Sequence, residues 1–293
     1  MRIRRLAVIG VGLIGGSLAR ALRAADAVDQ VVGCGRGAAN LERAVELGVI
    51  DHYTHAVAEA VSGADMVFVA VPLGAMRGVF EAMRGNLADE VVVTDGGSAK
   101  GSVLDDLAAV FGATPAWFVP GHPIAGTERS GVESSVATLF TNRRVILTPT
   151  GDTDPAASSR VELMWRRTGA EVCYMTVEHH DRVLAATSHL PHMLAFGLVD
   201  ALARMEEHDE IFRYAAGGFR DFTRIASSNP QMWRDICIAN KGALSDMMTA
   251  FAGEMSDLAD TIRNADGDHL LEIFARAKAA RDGFVDGTGN ADA

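Results

Sequence analysis

At 293 residues, with 48% hydrophobic and 22% charged side chains, the chain has a globular composition and a length suited to two domains. Its formal net charge of -11 argues against non-specific binding to nucleic acid or an anionic membrane. A small anionic substrate would therefore need a local basic pocket. Cys34, Cys173 and Cys237 lie far apart with no Cys-x-x-Cys spacing, which indicates neither a disulfide framework nor a zinc site and fits a reducing cytoplasm.

The opening MRIRRLAVIGVGLIGGSLARAL sets basic residues before an apolar run, as a signal peptide does, but Gly10, Gly12, Gly15 and Gly16 interrupt it. No run of 18 apolar residues suggests a membrane span. IRRLAVIG is expected to be a buried strand, followed by a helix in GGSLARALRAAD. QVVGCG then offers a second strand, and NLERAVELGV a helix with Asn40 as N-cap and Gly48 as its stop. ADMVFVAVP is an apolar strand ending at Pro72, and EVVVTDGGSAKG a strand to Thr94 with a glycine-rich turn. AWFVPGHP and RRVILTPT add two more, and AEVCYM a last one. Strands alternating with helices imply an α/β fold, a doubly wound parallel sheet of the Rossmann type with helices on both faces.

Beyond Val177 only long amphipathic stretches remain, such as VEHHDRVLAATSHLPHMLAFGLVDALARM. The expected division is therefore a dinucleotide-binding domain over 1–175 and an all-α substrate-binding and dimerisation domain over 176–293. The helices past Val177 carry more apolar surface than one small bundle hides, which suggests a homodimer through that half. The polar end DGTGNADA is expected to fray.

Gly10, Gly12 and Gly15 form a GxGxxG pattern that directly follows a strand and opens a helix. In that context the first glycine allows the tight turn, the second lets a pyrophosphate approach the backbone, and the third lets helix and strand pack closely. Leu13 and Ile14 complete the turn. Val71 and Pro72, in the loop after a neighbouring strand, are further cofactor candidates. At the end of the second strand an NAD site usually presents Asp or Glu to the ribose hydroxyls. Here Gly35 stands in that place and Arg36 follows, which suits the 2′-phosphate of NADP without excluding NAD. The alternative for Arg36 is stacking on adenine or pointing into solvent.

Ligands of such sheets bind where loops leave the carboxyl ends of the strands. TDGGSAKG and VPGHPIAGTERSG are two of those loops, so Ser98 and His122 are expected on the cofactor's edge. A neutral histidine can accept the proton of an alcohol being oxidised, and a serine can orient that hydroxyl.

VIGVGLIGGSLARAL, TDGGSAKG, GHPIAGTERSG, SHLPHMLAFGL and DFTRIASSNPQMWRDI together resemble the TyrA family, the prephenate and arogenate dehydrogenases, through nearly the whole chain. The resemblance implies oxidation of the ring hydroxyl of prephenate or arogenate with loss of CO2, giving 4-hydroxyphenylpyruvate or tyrosine. It puts the catalytic histidine on His122, its serine partner on Ser98, and the carboxylate-binding arginine on Arg224. A guanidinium suits bidentate recognition of a dicarboxylate substrate. By the same resemblance His192 lies near substrate, while His189 is expected to pack. The two form a conceivable metal pair, but no third ligand is evident and no metal is called for. Thr127 is expected to touch the substrate side chain, with Glu128 and Arg129 either beside it or at a solvated loop tip. His179 and His180 read as a polar helix face, Trp165 and Trp233 as packing residues, and MMTAFAGEM as core or dimer seam. Two other readings remain: a β-hydroxyacid or imine dehydrogenase of the same plan using Lys241, and a catalytically idle dinucleotide sensor. The resemblance implies an enzyme of tyrosine biosynthesis, and with no chorismate-mutase-like or regulatory extension visible the chain is expected to be single-function and cytoplasmic.

Overall fold

The computed structural model describes residues 2–127 and 129–288. The chain begins with β1 (Ile3–Ile9), α1 (Leu13–Ala24), β2 (Val28–Cys34), α2 (Ala38–Glu46), β3 (His52–Thr54), α3 (Val57–Val61), β4 (Met66–Val69) and α4 (Met76–Met83). It continues with β5 (Val92–Asp95), α5 (Gly101–Phe111), β6 (Phe118–Val119), β7 (Gly121–Pro123), β8 (Arg144–Leu147), α6 (Pro155–Arg167) and β9 (Glu171–Tyr174). Only helices follow: α7 (Val177–Leu184), α8 (Leu190–Ala203), α9 (His208–Arg213), α10 (Gly217–Thr223), α11 (Pro230–Ala239), α12 (Lys241–Arg263) and α13 (Gly267–Thr288).

Six parallel strands form the main sheet in the order β3-β2-β1-β4-β5-β6. Strand order reverses between β1 and β4, and the carboxyl ends beside such a switch point are where sheets of this kind bind ligands. All four residues of β4 are buried because both faces of the sheet are covered. Met66 and Phe68 face one core with Leu18, Leu22, Val161 and Trp165. Val67 and Val69 face the other with Phe80, Val103 and Leu107. The fold is thus the Rossmann-type sheet followed by helices that the alternation implies.

Three local expectations differ. Asn40 is not a cap: α2 starts two residues earlier with Gly37 as N-cap. Its side chain instead donates to the Val11 carbonyl (2.7 Å) and accepts from the Val132 amide (3.0 Å). Secondly, AWFVPGHP and RRVILTPT do not simply extend the parallel sheet. Pro120 supplies no amide to a ladder, the chain bends there, and β7 joins a separate three-stranded sheet, β7-β8-β9, antiparallel to β8. Thirdly, His122 sits within β7, opposite Ile146, rather than on a loop. Gly48 does follow the end of α2, in the left-handed region at φ +66°.

The described chain beyond Tyr174 contains no strand. By packing, the molecule divides elsewhere, into compact units Met1–Lys241 and Gly242–Ala293. The second unit leaves Ile262, Leu271, Phe274 and Phe284 exposed, as are Met248 and Met255 of the methionine-rich stretch. Trp165 and Trp233 are buried. No described helix is long and apolar enough to cross a membrane.

Candidate active site

The glycine turn has the shape a dinucleotide requires. Gly10 has φ +100°, and a Cβ there would lie 2.3 Å from the Ala70 carbonyl oxygen. A Cβ on Gly15 would lie 2.2 Å from the Gly10 carbonyl oxygen, so helix and strand can approach only without one. Around Gly12, by contrast, nothing lies within 4 Å of an added Cβ. Gly12 is also the N-cap of α1, with no side-chain cap and no acidic residue in the first turn. The first helix amides and their partial positive charge are therefore not met by a side-chain cap or an acidic residue of the first turn. This open cradle beside α1 fits a pyrophosphate. Val71 and Pro72 follow β4 at the same edge, where the Ala70 amide donates to the Ile9 carbonyl at 2.7 Å.

At the end of β2, which pairs with β1 through Ile9 and Cys34, Gly35 has only ordinary contact, an added Cβ meeting Leu41 at 3.5 Å. Arg36 is exposed. His55 Nδ1 lies 2.8 Å from the Gly35 carbonyl oxygen, a tie between β2 and the segment after β3 that the motif did not suggest.

His122 is the centre of a buried polar network. Its Nδ1 is 2.9 Å from His180 Nε2, and His180 Nδ1 is 2.8 Å from Asp181 Oδ1. Asp181 also accepts from the first amides of α5, Lys100 at 2.8 Å and Gly101 at 2.9 Å. Beneath lies a fully buried ion pair, Lys100 Nζ to Asp95 Oδ2 at 2.5 Å. Lys100 donates further to the Gly121 carbonyl (2.8 Å), while Asp95 accepts from the amides of Gly121 (3.0 Å) and Gly97 (2.8 Å). Both main-chain groups of Gly121 are thus held, which fixes the backbone entering His122.

Burial pushes His122 well below the ordinary histidine value, and the positive or potentially positive His180, Lys100 and His189 reinforce this. His180 is lowered chiefly by burial, partly offset by its bond to Asp181. Burial pushes the Asp181 carboxyl upward, but hydrogen bonds from His180, Lys100 and Gly101 outweigh it and hold it below its usual range. The network therefore keeps a neutral imidazole beside an ionised carboxylate at neutral pH.

The helices supply the other side. A π-helical turn, Ala185–His189, joins α7 to α8. Pro191 cannot donate to the preceding turn, and such wide turns re-aim side chains. His189 is buried, 3.1 Å from Asn240 Nδ2, and its Nε2 makes no regular hydrogen bond. Burial lowers it to about 4, countered in part by Asp181 and by the nearby Ser98 main chain. Ser98, on the turn after β5, is partly buried, and His189 links it to the His122 network. One turn further, half-buried His192 stacks on Trp233 with centroids 3.7 Å apart, its Nδ1 2.9 Å from the Ser188 carbonyl oxygen. Burial lowers it too, and the charge of Arg224, at the start of the turn Arg224–Ser227, acts in the same direction. The structure thus brings Ser98, His122, His189, His192 and Arg224 into one connected region.

Thr127 is not drawn into that region: it is exposed, and its hydroxyl accepts from the Arg129 amide at 3.2 Å. Glu128 lies outside the described residues. Lys241, the residue the β-hydroxyacid reading would use, is exposed at the first position of α12. Among the described residues no group of three or more His, Cys, Asp or Glu could hold a metal ion.

Sequence reasoning missed His180, Asp181, Lys100 and Asp95. His180 is not on a polar face but fully buried. Its signal was present in the spacing: His180 and Leu184 stand four apart, and both are buried on one stripe of α7.

Known proteins match this chain along most of its length. The model for the nucleotide-binding domain of prephenate dehydrogenase matches residues 18–174, and that for its dimerization domain matches 176–276. The cyclohexadienyl dehydrogenase of Zymomonas mobilis is 39% identical over 282 residues, 95% of either chain. The prephenate dehydrogenase of Aquifex aeolicus, solved with hydroxyphenyl propionate and NAD+, superposes with a TM-score of 0.91 at 36% identity, covering 97% of this chain and 99% of that one. The Synechocystis arogenate dehydrogenase gives 0.80 at 27% identity, over 96% of this chain and 100% of that one. On these matches, which span both the glycine turn's domain and the helices bearing His192 and Arg224, the chain belongs to the prephenate dehydrogenase family of oxidoreductases.

Proposed function

We propose that His122 is the general base in an oxidative decarboxylation of prephenate or arogenate, with Ser98 orienting the substrate hydroxyl and Arg224 and His192 binding a substrate carboxylate. The observation that carries this is the buried His122 on a backbone held from both sides, tied through Gly121 to Asp95 at the carboxyl end of β5 in the sheet that bears the glycine turn. Gly10, Gly12, Leu13, Ile14, Gly15, Val71 and Pro72 would hold the dinucleotide, whose oxidised nicotinamide supplies the hydride acceptor for the ring carbon. His122 takes the hydroxyl proton, so the forming carbonyl carries no stranded charge. Loss of the ring carboxylate as CO2 then makes the ring aromatic and draws the reaction forward. The protein contributes placement, a proton acceptor and anion binding. Purified protein assayed with prephenate and arogenate, each crossed with NAD and NADP, tests this by formation of reduced nicotinamide. No turnover in any of the four combinations would sink it.

Arg224→Ala is expected to raise KM roughly 10- to 100-fold, the range of a charge-assisted hydrogen bond, with kcat changed far less. The carboxylate it meets is present in both ground and transition states. Collapse of kcat at constant KM would remove Arg224 as a substrate anchor. Thr127 is retained only as a contact made when substrate is bound, from its position five residues past His122.

For the cofactor, the proposal is NADP preferred with NAD accepted. Gly35 presents no carboxylate to repel a 2′-phosphate or to bind the ribose hydroxyls, and exposed Arg36 adjoins it. Arg36→Ala should weaken NADP by roughly 10- to 100-fold while leaving NAD nearly unchanged. Gly35→Asp, which the 3.5 Å clearance to Leu41 accommodates, should shift preference toward NAD. Titrations in which Arg36→Ala weakens both cofactors equally would instead assign Arg36 to adenine stacking.

The domain division proposed is 1–175 for the dinucleotide and 176–293 for substrate and dimer contacts. A homodimer is supported by the dimerization-domain match over 176–276 and by exposed Ile262, Leu271 and Phe274. Light scattering giving a monomer mass at micromolar concentration would contradict it. The unpaired Cys34, Cys173 and Cys237 are consistent with a cytoplasmic location.

A further inference from the structure

We propose that His180 and Asp181 are positioning residues that fix the tautomer of His122, leaving its Nε2 as the proton-accepting atom. The inference rests on the assignment of His122 as general base and deepens it.

The argument follows hydrogen-bond polarity from one end of the chain of contacts to the other. Asp181 receives the amides of Lys100 and Gly101, one on each carboxylate oxygen. Those donors at the start of α5 require an acceptor and hold the group ionised. An ionised carboxylate can only accept, so His180 Nδ1, 2.8 Å away, must carry a hydrogen and donate it. A neutral His180 then has a bare Nε2. That atom is 2.9 Å from His122 Nδ1, so His122 must donate from Nδ1. A neutral His122 whose Nδ1 bears the hydrogen has its lone pair on Nε2, the nitrogen left for substrate. Each step has one solution while both rings are neutral, and the burial of both favours that state.

The other groups facing His122 do not reverse this order. Lys100 is committed to Asp95 and to the Gly121 carbonyl, Asp95 accepts from Lys100, Gly97 and Gly121, and His189 Nδ1 is matched with Asn240. The logic parallels a carboxylate orienting a catalytic imidazole, with a second imidazole inserted between them. When substrate gives its proton to His122 Nε2, the Nδ1 hydrogen bond is already in place, so the ring need not turn.

The deciding measurement is side-chain 15N NMR of His122 in the wild-type protein at neutral pH, assigned by its loss in His122→Asn. A hydrogen on Nδ1 with a bare Nε2 is expected, and a hydrogen on Nε2 overturns the proposal even if no His180 variant folds. Kinetics supply the second arm. His180→Leu removes the acceptor and should lower kcat by about 10²–10³-fold while KM and cofactor affinity stay within about threefold. His180→Gln offers a carbonyl to His122 and an amide to Asp181, and should recover most of that loss. A folded His180→Leu protein with wild-type kcat refutes the positioning role while leaving the base assignment intact. An active His122→Asn protein refutes the base assignment, and the positioning role with it.

Discussion

Replacing His122 with asparagine is expected to lower kcat by about two to four orders of magnitude, the contribution usual for a positioned general base. Cofactor affinity should be nearly unchanged, because the glycine turn and the end of β2 are separate from β7. Asparagine keeps a polar group against His180 but offers no basic nitrogen to substrate. Ser98→Ala serves as the control and should cost less, since it orients a hydroxyl rather than accepting its proton. The pH profile adds a second check. A base must be neutral to act, and burial depresses the His122 pKa, so the active form survives below the ordinary value. The acid limb of kcat/KM, which reports the free enzyme, should therefore fall clearly below pH 6.5, the unperturbed value. Activity within a few-fold of wild type in His122→Asn, or an acid limb above that pH, would take His122 out of the role.

Features that depend on neighbouring residues were legible in the sequence. The glycine spacing after β1 reports a turn, a helix start and a close approach, all within six residues from Gly10 to Gly15. Apolar runs alternating with helical spacing gave the parallel sheet, because strands buried on both faces carry few polar residues. What escaped depends on partners distant in the chain. The separation of β7 from β6 turns on one proline and on pairing with β8, more than twenty residues later. His180 is 58 residues from His122, and the run Glu178-His179-His180-Asp181 reads as polar unless the phase of α7 is followed to Leu184. Arg224 and His192 were placed by resemblance. The structure puts the Arg224 charge near His192 and holds His192 by a Trp233 stack after a π turn, which no local spacing announces. Among the described catalytic and substrate-binding candidates, Thr127, inferred from loop position alone, is the one left outside that region.

The largest expected effect on stability belongs to Lys100, which the sequence presented as an ordinary lysine in a glycine-rich turn. Lys100→Met should destabilise the protein by about 3–5 kcal/mol, the cost of leaving a buried charge without its partner. Burial pushes the Lys100 ammonium down from its usual value, with Asp95 opposing that shift. Both side chains are fully buried, so the intact pair need not stabilise much in total, because desolvation consumes most of its attraction. Removing one member is different. Asp95 would keep the Gly97 and Gly121 amides but lose its counter-ion, and the Gly121 carbonyl would lose its donor. Asp95→Asn in the Lys100→Met background removes the stranded charge and should recover a substantial part of the loss. Any Lys100→Met protein that folds should also lose kcat, since Gly121 leads directly into His122. Urea denaturation of the single and double variants beside wild type tests this. A midpoint for Lys100→Met equal to wild type would mean that Asp95 is protonated or solvated when alone. In that case the ion pair would not be what holds the His122 strand in place.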